Sequence, residues 1–143
     1  MKNSLMGLGV AVSLFSVPAL RADEPKDFHG KWEYVEWHHA GEKLPEEKHK
    51  SLVLVIGPKD CRVEAEDKLL SVATYKVGEV NKRRTVELDI SHGEFKDQKM
   101  LAIFEIDGDT MRVCYDLEGK EFPTVFKSTK ENKWVLVTYK RKK

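Results

Sequence analysis

Residues 100–106 and 110–115 are two alternating apolar runs separated by Asp107-Gly108-Asp109. Asp-Gly favours a tight hairpin turn, because both central positions take positive φ. With Asp107-Gly108 central, Ile106 opposes Asp109, Phe104 opposes Met111 and Ala102 opposes Val113. Moving the turn one residue along keeps the same two faces. Met100, Ala102, Phe104, Ile106, Met111, Val113 and Tyr115 share one face and are predicted core. Leu101, Ile103, Glu105, Thr110, Arg112 and Cys114 share the other. Side chains alternate with a period of two, so this pattern sets which face is buried.

The rest of the chain repeats the theme. Strand-like runs are expected at 30–39, 52–56, 61–66, 69–77, 85–90 and 134–140, with a further short one at 124–127. Turn residues divide them at fairly even spacing, the pattern of a sandwich or barrel. In the first run, alternation places Trp32, Tyr34, Glu36 and His38 on one face and Val35 and Trp37 on the other. Residues 44–50, opening on Pro45, read as one or two helical turns. The fold class expected is all-β: one antiparallel β-barrel of about eight strands, with one short helix after the first strand. Closure at that number removes free edges and leaves room for one small ligand or a filled core.

The first residues read differently. Lys2 precedes an apolar stretch over residues 5–17, and Pro18-Ala19-Leu20-Arg21-Ala22 supplies small residues for cleavage. This is the layout of a secretory signal peptide, its apolar core too short to span a bilayer. We expect residues 1–22 to be the signal and 23–143 the barrel domain, with Ala19 an alternative cleavage point, and the protein to be periplasmic or extracellular. The chain carries 25 basic and 24 acidic residues. A balanced charge gives no global field for nucleic acid or an anionic membrane, and no stable membrane insertion is expected. The basic 140–143 tail reads as solvated.

Several segments together resemble a family of uncharacterised lipocalin-like domains abundant in planctomycete bacteria. They are Gly30-Lys31-Trp32, Gly41-Glu42-Lys43-Leu44-Pro45, Thr74-Tyr75-Lys76-Val77, residues 103–115 and Pro123-Thr124-Val125-Phe126-Lys127-Ser128. Gly30-Lys31-Trp32 also resembles the Gly-x-Trp of lipocalins and other calycins. The resemblance implies a calycin-like barrel and carries no catalytic set. It further implies that Lys140 or Arg141 packs over the Trp32 indole as a cation–π pair. The chain departs from the family at Phe122, where a basic residue is common, and at His38-His39.

The candidate ligand-binding residues are Trp32, Tyr34, Glu36, His38, Ala102, Phe104, Met111 and Tyr115. On a lining face, Glu36 and His38 would sit near one mouth and could meet a polar head group or a metal such as zinc. A metal site needs three or four ligands, so a solvated strand end is preferred and no metal or cofactor is expected. His29, His49 and His92 fall in turns and read as surface residues. Glu87, Asp89 and Glu105 alternate with apolar residues and read as wet strand faces. No phosphate loop, nucleophile elbow or zincin helix is present, so no enzymatic activity is expected. Cys61 shares an inward face with Val63 and Ala65, while Cys114 lies on the opposite hairpin face, so the two are expected to be unpaired. Three readings compete: a barrel that binds a small, partly apolar molecule; an envelope or protein-interaction module with a filled core; and a hydrolase or isomerase using Glu36 and His38. An empty, ligand-sized interior separates the first from the second.

Overall fold

A computed structural model of the protein describes residues 27–143. The predicted signal and its cleavage site lie outside the described residues. Among the described residues nine strands form one sheet: β1 (Gly30–His39), β2 (Glu42–Lys43), β3 (Leu52–Ile56), β4 (Asp60–Ala65), β5 (Lys68–Val80), β6 (Arg83–His92), β7 (Lys99–Asp107), β8 (Thr110–Asp116) and β9 (Val135–Arg141). From β3 onward each strand pairs antiparallel with the next, and β1 pairs with both β3 and β9. These eight strands therefore close into an up-and-down antiparallel barrel, and β2 is a short flap on β1.

The hairpin takes the second of its two registers. Asp107 pairs with Thr110, Phe104 with Val113 and Ala102 with Tyr115, with Gly108-Asp109 as the turn. The inward face is the expected one: Met100, Ala102, Phe104, Met111 and Val113 are buried. The outward face is only partly wet. Glu105 and Arg112 form an ion pair at 2.8 Å, but Ile103 and Cys114 are buried. The cause is the β8–β9 connection, residues 117–134, which folds back over them. Cys114 Sγ lies 3.7 Å from the Lys127 carbonyl, and Arg112 sits over the Phe126 ring. This connection has no strand at 124–127. It is set by side-chain caps instead: the Asp116 carboxylate accepts from the backbone N–H groups of Glu118, Lys120 and Glu121, and Asn132 Oδ1 accepts from those of Thr129 and Trp134. Such local bonds offer the backbone an alternative to pairing.

The predicted short helix is a single 3-10 turn, Glu46–Lys48. Pro45 is extended (φ −62°, ψ 146°) and so lies outside the turn. Immediately after it His49 turns inward, its carbonyl accepting from Leu52 N. His49 is not the surface residue expected: it is 2 % exposed, and its Nδ1 has no partner. His29 and His92 lie at or near the surface.

One end of the barrel is plugged by the residues just before β1. Phe28 stacks on Phe104 at 4.6 Å between centroids and meets Tyr75 edge-on. Trp32 is fully buried and donates its indole N–H to the Phe28 carbonyl at 3.1 Å. Arg141 covers the indole, its guanidinium 4.2 Å from the ring centroid. Gly30, at φ +129°, has no side chain to obstruct that guanidinium; a Cβ there would stand 3.2 Å from Arg141 Nη1.

A candidate ligand cavity

Above the plug the barrel is hollow. The cavity has a volume of about 440 Å³, within the roughly 300–1,000 Å³ typical of small-molecule pockets. Its floor includes Phe28 and Ile56, and its walls include Leu54, Val63, Ala73, Val86, Leu88, Val113 and Val137. Trp37, His39, Leu52, Leu70, Phe95 and Leu117 stand where the strand ends and loops surround the mouth. These elements form for the reason the sequence suggested, since β-branched and aromatic residues at every second position bury one pleated face.

The geometry redistributes the predicted residues. Tyr34, Met111 and Tyr115 line the cavity. Trp32, Phe104 and Ala102 are packed in the core and do not line it. Glu36 and His38 do not line it either. The register between β1 and β9 runs Trp32 to Arg141 and Tyr34 to Tyr139, then resumes at Glu36 with Thr138. Val35 is thus an extra residue in a β-bulge, and a bulge exchanges the faces of everything beyond it. Trp37 and His39 turn to the cavity. Glu36 and His38 face out, where the carboxylate meets His38 Nε2 at 3.0 Å and Lys43 Nζ at 3.4 Å. The His38 hydrogen bond, with Lys43, holds the Glu36 pKa below its ordinary value.

Sequence reasoning also missed Tyr139. It follows from alternation in β9, where Val135, Val137 and Tyr139 are all buried. Its hydroxyl lies 2.6 Å from that of Tyr115, and its ring meets Tyr34 edge-on at 4.7 Å. The Tyr34 ring in turn stacks against Trp37 at 5.6 Å. Burial raises the pKa of all three tyrosines, because the phenolate would lose its hydration inside the barrel. Cys61 also lines the cavity, and burial pushes its thiol up to about 12. A thiol held protonated is a poor nucleophile. Both cysteines are free, one facing inward and one beneath the outer loop. Among the described residues no three His, Cys, Asp or Glu side chains converge on a metal position. No family model matches this chain, nor does any curated protein or solved structure.

Proposed function

We propose that this protein is an exported, lipocalin-like barrel that takes a small, largely apolar molecule into its interior. The observation that carries the reading is the cavity of about 440 Å³, walled almost wholly by apolar and aromatic side chains. A barrel of this strand number either fills itself or holds one ligand, and here Phe28, Trp32 and Phe104 fill one end only. Export rests on the N-terminal pattern of Lys2, an apolar core and Ala22. The outward positions Lys31, Glu33, Arg62, Glu105 and Lys140 carry charge on several strands, which favours a barrel in water over one with an apolar lipid-facing band.

The test is titration with the neutral dye N-phenylnaphthylamine, read by dye emission and by quenching of Trp37, which lines the cavity. One saturable site is expected. Filling the space with Val63→Phe should weaken binding at least about tenfold while leaving the fold intact by circular dichroism. If neither the dye nor a panel of fatty acids and aromatic probes saturates, an envelope- or protein-interaction module replaces this reading.

A further inference from the structure

The polar groups inside the barrel are few and clustered. Tyr34 on β1, Tyr139 on β9 and Tyr115 on β8 come from three adjacent strands, and all three line the cavity. Tyr139 stands in the middle, its hydroxyl 2.6 Å from that of Tyr115 and its ring edge-on to that of Tyr34 at 4.7 Å. Each hydroxyl brings one proton and accepts through its lone pairs. Three hydroxyls in a row use at most two protons on one another, whichever way the row runs. At least one O–H therefore has no acceptor within the cluster.

The charges available are as informative. His39, Arg62 and Glu94 also line the cavity, and all three are exposed at its margin. Arg62 is paired with Glu64. Among the described residues no Lys, Arg or His pairs with the three tyrosine hydroxyls, so a carboxylate buried beside them would lose its hydration and gain only hydroxyl donors. A neutral acceptor has a much smaller desolvation cost and uses the spare proton.

We propose that the ligand is a neutral, largely apolar molecule whose buried polar group is a carbonyl-type acceptor, held by the Tyr34–Tyr139–Tyr115 hydroxyls. This rests on the cavity reading above and names the ligand class. The probes are three naphthalenes of nearly equal size, acetonaphthone, ethylnaphthalene and naphthoate, each measured by displacement of N-phenylnaphthylamine. Replacing all three tyrosines (Y34F, Y115F and Y139F together) should weaken acetonaphthone about three- to tenfold, the worth of one hydrogen bond. Ethylnaphthalene should change less than about twofold. A single Tyr34→Phe should retain the ketone affinity, since two hydroxyls still leave one proton over. The infrared carbonyl stretch of acetonaphthone bound to the unaltered protein should lie below its value in hexane, which tests the contact even if the triple variant does not fold. Equal losses for ketone and hydrocarbon, an unshifted stretch, or naphthoate binding more tightly than the ketone would each overturn the assignment while leaving the cavity reading in place. If no probe binds saturably, both fall.

Discussion

Arg141 ties the last strand to the residues that enter the first. Its guanidinium covers Trp32, donates from Nη2 to the Asp27 carbonyl at 2.7 Å, and donates from Nη1 to the His29 carbonyl at 3.0 Å. Asp27 is held a second time by Arg84, at 2.9 Å, and that hydrogen bond keeps the Asp27 pKa below its ordinary value. The Arg84 guanidinium also lies 4.7 Å from the Phe104 ring centroid, so two arginines clamp the plug onto aromatic faces. A partly desolvated cation–π contact is worth about 0.5–2 kcal/mol, and each bond from a charged donor adds stabilisation that water at the barrel end reduces. Arg141→Met should therefore lower stability by about 1–3 kcal/mol, seen as a lower urea midpoint at unchanged slope. Arg141→Lys should recover only part of it, because an ammonium has no fork to serve two carbonyls. A loss below about 0.5 kcal/mol for Arg141→Met, the level of an ordinary surface change, would show that the clamp is not needed. The basic partner of Trp32 was expected from Gly30-Lys31-Trp32; register settles it as Arg141, which pairs with Trp32, whereas Lys140 pairs with Glu33 on the wet face.

At the scale of the strand, the β1 bulge decides which side chains a ligand would meet. Val35 is 52 % exposed and pairs with no residue of β9, so its own side chain matters little. Val35→Ala should change stability by no more than about 0.5 kcal/mol. Deleting Val35 is a different operation. It removes the extra residue itself, so Tyr34, Glu36 and Trp37 alternate in, out, in without a bulge, and Trp37 and His39 still face the cavity while Glu36 and His38 still face out. The deletion variant should therefore keep a cooperative thermal transition in circular dichroism and keep Trp37 quenchable by the dye in the cavity. Loss of that transition, or loss of Trp37 quenching, would show that Val35 is not the extra residue and that the faces beyond it depend on its presence. Strand count, hairpin and inward face were legible because each rests on period-two hydrophobicity, which a single sequence displays. The bulge was not, since residues 32–38 alternate plausibly in either phase: Trp32, Tyr34 and Trp37 are all aromatic, and nothing local marks Val35 as the extra residue. The burial of Ile103 and Cys114 was hidden for another reason. Their cover is a loop held by Asp116 and Asn132, which has no periodicity to read. His49 was missed likewise, because a histidine in a polar stretch gives no sign of turning inward.

Across the whole molecule, the hollow interior couples folding to alkaline pH. Tyr34, Tyr115, Tyr139 and Cys61 share that interior, and each is held protonated by burial, with pKa values raised in the folded protein. In the unfolded chain the thiol and the phenols ionise at their ordinary values, near pH 9 and pH 10. Below those values both states bind the same protons, and the interior contributes its full stability. Above them the unfolded chain releases protons that the folded barrel retains, so stability falls as pH rises. Each such proton changes stability by about 1.4 kcal/mol per pH unit, so three tyrosines together give a slope of about 4 kcal/mol per unit above pH 10. A domain with an ordinary margin of about 5–15 kcal/mol would lose most of it within a few pH units. The melting temperature should therefore be nearly flat from pH 7 to 8.5, begin to fall near pH 9 and drop steeply beyond pH 10. Tyrosinate absorbance should rise together with unfolding rather than ahead of it. Replacing the three tyrosines with phenylalanine should flatten the alkaline limb, leaving the shallower contribution of the two thiols, Cys61 and Cys114, which burial also holds protonated. A bound neutral ligand, which stabilises the folded state by mass action, should move the whole limb to higher pH without changing its slope. Tyrosinate absorbance that titrates fully near pH 10 in protein still folded by circular dichroism would mean that water and hydroxide reach the hydroxyls freely, and that the cavity does not hold them dry.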